Sequence, residues 1–239
     1  MSYQMKRMCI LLKILVVDDE KEIADLIEVY LKNEGFEVVK CFSGTQALDK
    51  ISLESYDLAV LDVMLPGIDG FSLCSRIREK YNYPVIMLTA KNTDKDKISG
   101  LSVGADDYVT KPFNPMELVA RIKAQIRRFR QYNDSGANEQ IFESAGLEVN
   151  NSTHTCTLYS EVLPLTPTEF GILWLLCENA NKVVSTEEIF EKVWGEKYLD
   201  SNNTVMVHIR RLREKMHERP RNPKFIKTVW GVGYKIEKE

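Results

Sequence analysis

Asp62 ends a short apolar run, Leu58 to Leu61, and opens into a loop carrying Pro66, Gly67 and Gly70. Asp18 and Asp19 follow a second apolar run, Ile14 to Val17, while a third leads into Thr89-Ala90 and a fourth into Lys111-Pro112. Three carboxylates gathered in one pocket repel one another unless a cation intervenes. Mg²⁺ suits such a set, with a few carboxylates, water and one backbone carbonyl, for which Met64 is placed. The competing reading is that Asp18 and Asp19 cap the helix that follows them. Beside a hydroxyl at Thr89 and an ammonium at Lys111, the acids suit phosphoryl transfer onto an aspartate. Asp62 would be the nucleophile and the cations would neutralise charge on the transferred group.

That chemistry requires the four strand ends to meet. Residues 13–130 alternate strand-like runs (Ile14–Val17, Glu37–Lys40, Leu58–Leu61, Val85–Leu88, Tyr108–Val109) with helix-period segments near 21–33, 45–53, 70–80, 94–103 and 115–130. This grammar predicts an α/β doubly wound five-stranded parallel sheet. In the flavodoxin-like strand order the first and third strands are neighbours at the switch point, where such sheets place their chemistry. Pro112 reads as a rigid turn of the kind that admits a cis bond. Two rivals fail locally. A haloacid-dehalogenase-type phosphatase wants an acid two residues after its nucleophile, where this chain has Met64. A flavodoxin proper wants a small-residue phosphate loop after the first strand, where Asp18-Asp19-Glu20 would repel the phosphate.

Residues 1–12 read as an extension, and 131–140, QYNDSGANEQ, as a polar linker. The region 141–239 has a different pattern. Short β-like runs occupy 147–165, Thr166-Pro167-Thr168-Glu169 starts a helix with a capping box, and Ser185-Thr186-Glu187-Glu188 repeats that pattern. A third helix near 202–218 and two β-like runs, Phe225–Val229 and Gly233–Ile236, make an α+β winged helix-turn-helix plausible on order alone.

The 239 residues carry a net charge of −3, with 44% hydrophobic and 28% charged side chains, as in an ordinary globular protein. The distribution is more telling: residues 201–238 hold 10 Lys/Arg against 3 acids, a local net of +7, the footprint of a phosphate-backbone binder. At about 100° per residue, Val205, Ile209, Leu212 and Met216 of the third helix form one core stripe. Asn203, Thr204, Val207, Arg210 and Arg211, flanked by His208, fall on the other side. Arginine reads guanine and small methyls meet thymine, so this face is a candidate DNA reader; a solvated basic face is the bland alternative. Arg213 belongs to the same basic set. Thr228, Trp230 and Tyr234 sit near the hairpin turn. The five cysteines lie far apart, without a CxxC pair, which argues against zinc or a disulfide framework and for a reducing cytoplasm. No stretch is long and apolar enough to span a membrane.

LVVDDE, LAVLDVMLPGIDG, IMLTA and DDYVTKPF resemble the receiver domain of two-component response regulators. LTPTEF, NNTVMVHIRRLREKM and IKTVWGVGYKIEK resemble the winged-helix effector of the OmpR/PhoB class. The resemblance covers nearly the whole chain and leans toward the regulators of vancomycin-resistance operons. It implies that a sensor histidine kinase phosphorylates Asp62, that Asp18, Asp19 and the Met64 carbonyl hold Mg²⁺, and that Thr89 and Lys111 grip the phosphoryl group. Tyr108 matches the aromatic switch position. The charges Lys97, Asp106, Asp107, Glu117 and Arg121, otherwise a solvated face, become a homodimer interface in which Lys97–Glu117 and Asp107–Arg121 pair across chains. The effector would bind double-stranded promoter DNA, with Trp230 at phosphate or sugar, and the loop 194–202 would meet RNA polymerase. A constitutive DNA-binding protein with a phosphate-independent receiver is the alternative.

Overall fold

The computed structural model describes residues 11–90, 104–131, 140–195, 204–219 and 222–238. The extension 1–10, the segment 94–103 with Lys97, most of the linker, Asn203 and most of the loop 194–202 lie outside the described residues.

Five parallel strands, β1 (Lys13–Val17), β2 (Glu37–Cys41), β3 (Leu58–Asp62), β4 (Val85–Thr89) and β5 (Asp107–Thr110), form one sheet in the order β2-β1-β3-β4-β5. The apolar runs of the three central strands, β1, β3 and β4, are continuous because both faces are covered. Ile14, Val16, Leu58, Val60, Ile86 and Leu88 point to one face. There they pack against Ala24, Ile27 and Leu31 of α1 (Lys21–Asn33) and against Leu118, Ile122 and Ile126 of α4 (Pro115–Gln131). The alternate residues Leu15, Val17, Ala59, Leu61 and Met87 face α2 (Gly44–Leu53) and α3 (Gly70–Arg78), meeting Ala47, Ile51, Leu73, Cys74 and Ile77. Both helices have side-chain caps: Ser43 accepts from the Gln46 amide and Asp69 from the Ser72 amide, which satisfies orphan donors of the first turn.

The second unit opens with an antiparallel sheet of β6 (Ile141–Ser144), β7 (Leu147–Asn150), β8 (Thr155–Leu158) and β9 (Glu161–Val162). Helices α5 (Pro167–Glu178), α6 (Thr186–Trp194) and α7 (Thr204–Lys215) follow. The strands β10 (Val184–Ser185), β11 (Ile226–Val229) and β12 (Gly233–Ile236) pair in the order β10-β12-β11. The capping box of α5 forms as its sequence predicts, with Pro167 in the first turn. Trp194, expected to begin a contact loop, instead ends α6 and is 2% exposed, its indole stacked on Phe190 with ring centroids 5.0 Å apart. The core stripe of α7 is as predicted: Val205, Ile209, Leu212 and Met216 are all buried in one cluster with Phe170, Leu173 and Ile226. The four described cysteines, Cys41, Cys74, Cys156 and Cys177, are buried and free.

Candidate phosphoacceptor pocket and nucleic-acid interface

At the carboxyl edge of the parallel sheet the ends of β1, β3, β4 and β5 converge. Register puts Val17 beside Leu61, Asp62 beside Leu88 and Thr89 beside Thr110. Asp18, Asp62 and Thr89 are each under 5% exposed. Lys111, which reaches into the pocket, is followed by a cis Lys111–Pro112 bond. Its Nζ lies 2.8 Å from Asp62 Oδ2, 2.9 Å from Asp18 Oδ2 and 3.2 Å from Glu20 Oε1. Burial works against the lysine's charge, but the hydrogen bonds it donates to Asp62 and Asp18 outweigh it and hold its pKa up. Burial pushes the Asp18 carboxyl up, Lys111 pulls it down, and the neighbouring Asp62 charge adds to the rise. The Met64 amide donates to Asp62 Oδ1 at 3.2 Å, so the backbone after β3 turns around the carboxylate.

Asp18, Glu20 and Asp62 each offer a carboxylate oxygen, and the three oxygens lie within 4.8 Å of one another. An all-oxygen set of this charge fits a hard divalent cation. Asp19, expected as a ligand, is exposed and stands outside that trio. Glu20, itself exposed, is the third member of the trio, two residues beyond Asp18 on a chain that turns from strand to helix.

The loop after Asp62 closes tightly on itself. Gly70 begins α3 so near the end of β3 that a Cβ there would lie 2.0 Å from the Asp62 carbonyl oxygen. Backbone cannot yield as a flexible side chain would, so we expect Gly70→Ala to cost roughly 2 kcal/mol or more of stability. It should also impair modification of the adjacent carboxylate. Urea unfolding and acetyl phosphate labelling of the same variant check both effects.

On the sheet edge beyond the pocket, burial raises the Tyr108 hydroxyl pKa, and that hydroxyl has no hydrogen-bond partner among the described residues. Arg121 bridges Asp107 at 3.1 Å and Glu117 at 3.0 Å, within one chain, so the Asp107–Arg121 pair expected between chains is intramolecular here. Asp106, expected on the same surface, is 0% exposed and faces inward.

The second candidate site departs from the expected exposure pattern. Arg210 is open to solvent beside Glu214, 2.8 Å away. Thr204, Val207, His208 and Arg211, assigned to the outward face of α7, are all buried, His208 completely. His208 packs obliquely on Trp194 with centroids 5.5 Å apart, and burial drives its pKa down to about 4, so it contacts no phosphate in this conformation. Arg213 is a brace rather than a free cation: its guanidinium donates to the Ile226 carbonyl at 2.6 Å and to Thr228 Oγ1 at 2.8 Å, tying α7 to β11. Tyr234 is 7% exposed and belongs to the core, whereas Trp230 at the hairpin tip is 90% exposed. Several other cations have internal partners. Lys215 pairs with Glu169 at 2.6 Å, and both Lys227 and Lys235 pair with Glu237. The local surplus of +7 already subtracts Glu237, so among these partners only Glu169, outside residues 201–238, reduces it further.

Glu169 is the functional neighbour that the sequence showed only as a helix cap. It is fully buried between Lys215 and the Arg211 guanidinium, 3.6 Å from Arg211 Nη1. Burial raises its pKa, but the two cations outweigh burial and hold it below the usual carboxylate value.

This pocket-and-helix arrangement agrees with the comparisons to known proteins. Residues 14–123 match the response regulator receiver domain, and residues 160–236 match the transcriptional regulatory protein, C terminal, family. The chain belongs to the response regulators of two-component systems with an OmpR/PhoB-type winged-helix effector; it is a transcription regulator. Among individual relatives it is 60% identical to the regulatory protein VanRc of Enterococcus gallinarum and 56% identical to VanR of Enterococcus faecium. Each alignment covers 95% of this chain and 99% of the relative. A solved structure of a RitR mutant superposes with a TM-score of 0.73 at 27% identity, covering 95% of this chain and all of that one. DrrB, an OmpR/PhoB homolog of Thermotoga maritima, gives 0.51 at 35% identity, covering 95% and 99% of the two chains. Among the described residues no helix is long and apolar enough to cross a membrane.

Proposed function

We propose that this chain accepts a phosphoryl group on Asp62 from a sensor histidine kinase, dimerises through its receiver and then binds promoter DNA. The observation that carries the reading is the convergence of Lys111 on Asp62 and Asp18 at 2.8 and 2.9 Å, at a sheet edge that also bears Thr89. A carboxylate oxygen of Asp62 attacks the phosphorus of a phosphohistidine. The P–N bond breaks with its electron pair staying on nitrogen, the ring, already protonated on its other nitrogen, leaves as neutral imidazole, and an acyl phosphate remains on Asp62. Lys111 is already at the carboxylate and can follow its charge onto the phosphoryl oxygens, and Thr89, one residue past the partner of Asp62 on β4, offers a hydroxyl to them. A bound Mg²⁺ would neutralise phosphoryl charge in the transition state. Asp18, Glu20 and Asp62, with Asp19 and the Met64 carbonyl as further candidates, would hold it.

Dimerisation would use the β5 and α4 surface carrying Asp107, Glu117 and Arg121, with Lys97 opposite Glu117. The internal Arg121 bridge would exchange partners. Two tethered effectors then reach adjacent half-sites at high effective concentration. On the DNA, α7 with Asn203, Thr204, Val207, His208, Arg210 and Arg211 would enter the major groove, and Trp230 would touch phosphate or sugar. RNA polymerase would be met by the loop after Trp194. The relation to VanR and VanRc makes glycopeptide-resistance genes the proposed targets. Sedimentation of the full chain with acetyl phosphate and Mg²⁺ tests the switch. We expect a monomer that becomes a dimer as Asp62 is modified; full modification without any change in mass would refute it.

A further inference from the structure

We propose that the chain carries a small-molecule site apart from the phosphoryl pocket: a ring-lined cavity between receiver and effector that takes a neutral planar aromatic ligand of one or two fused rings. The cavity has a volume of about 290 Å³ and lies where Asn82 and Phe129 of the receiver meet the β7–β8 turn and the start of α5. Clefts between domains are favoured places for ligands. In another apolar cavity roughly 150 Å³ is enough to accept benzene, so this one has room for a second ring.

The walls select the chemistry. Phe129, His154 and Phe170 supply three rings, joined by Leu165 and Pro167. Phe129 is seated on the receiver core and Phe170 is buried in that of the effector. His154 packs on Phe170 with ring centroids 4.6 Å apart. Its backbone has φ +53, in the left-handed region that few residues other than glycine enter. Strain of this kind gathers at ligand sites, and here it accompanies an imidazole laid against Phe170 at the cavity wall. Burial drives the pKa of that imidazole down to about 4, so the ring is neutral at pH 7. Among the described residues no Asp, Glu, Lys or Arg lines the cavity, although 28% of the chain is charged. An ionised ligand would bury its charge there without a counter-charge, which is costly.

The polar atoms narrow the class further. Thr166 Oγ1 already accepts from the Glu169 amide, and Thr153 Oγ1 is bonded to Thr155 Oγ1 at 2.7 Å. Asn82, exposed at the mouth, offers its side-chain amide to one N–H or O–H on the outer edge of a ligand. Rings and aliphatic carbon thus meet the ligand inside, and a single amide meets it outside. Because both domains supply wall, an occupant adds its binding free energy to the contact between them. The chain then has a chemical input besides Asp62.

The test is a titration of the full chain with indole, read by calorimetry and by intermolecular NOEs in NMR. The wild type should bind indole saturably, with NOEs from the indole ring to the Leu165 and Thr153 methyl groups. Indole-3-carboxylate has the same rings and an unpaired charge, and it should bind at least about tenfold more weakly. Thr153→Trp and Asn82→Trp, both at exposed positions of the mouth, should fill the cavity and remove indole binding. Each should keep wild-type labelling by acetyl phosphate, which shows that the receiver is intact. Absence of saturable binding overturns the proposal, as do NOEs confined to other residues, equal affinity for the carboxylate, or binding unchanged in both filled variants. Should neither variant fold, the position of the NOEs in the wild type decides.

Discussion

Asp62→Asn is expected to abolish phosphoryl incorporation from acetyl phosphate. The amide matches the carboxylate in size, so the buried end of β3 keeps its packing. What is lost is the nucleophile, because an amide oxygen carries no full charge and cannot form a stable acyl phosphate. Lys111 retains Asp18 at 2.9 Å and stays in place, which keeps the variant folded and the result interpretable. Intact-mass measurement after incubation with acetyl phosphate and Mg²⁺ reads the outcome directly. A mass gain matching that of the wild type would move the acceptor elsewhere.

Glu169→Ala should produce the largest loss of stability. The carboxylate is fully buried, accepts the Thr166 amide at 2.9 Å and neutralises Lys215 and Arg211. Removing one partner of a buried ion pair leaves the others uncompensated, at a cost on the order of 3 kcal/mol. The capping box goes with it. The pH dependence has a definite sign. The folded pKa of Glu169 lies below its unfolded value. Its contribution is therefore full above the unfolded pKa and is lost as pH falls through the folded one. Urea unfolding across the acid range should show a steeper loss in the wild type than in Glu169→Ala. Parallel curves would remove Glu169 from the account.

How much of this was legible in the sequence depends on where the information lies. The parallel sheet was readable at its centre, where β1, β3 and β4 are buried on both faces and form apolar runs, whereas the edge strands β2 and β5 carry Glu37, Lys40 and Asp107. The pocket was readable because its members sit at strand ends, and topology brings strand ends together. That Glu20 stands beside Asp18 and Asp62 was harder to read, because it depends on how the chain turns into α1, which residue types do not encode. β6 and β10 escaped because four residues beside a polar segment, and two beside a helix cap, are too short for periodicity to register. The wheel for α7 sorted core from non-core correctly. It treated everything else as solvent-facing, although Thr204, His208 and Arg211 are covered by neighbouring elements, including a turn about 100 residues earlier in the chain. Counting charges within 201–238 missed one partner for a similar reason: Glu169 lies outside that stretch, and only the fold brings it to Lys215 and Arg211.

The central claim is that modification at Asp62 controls access of the effector to DNA. The most direct measurement is the affinity of the full chain for duplex DNA at fixed salt, taken as a function of the fraction of Asp62 carrying a phosphoryl group, with that fraction read by mass on the same samples. Affinity should rise with the modified fraction, and Asp62→Asn should stay flat under identical treatment. Stoichiometric modification of Asp62 with no change in affinity would contradict the account.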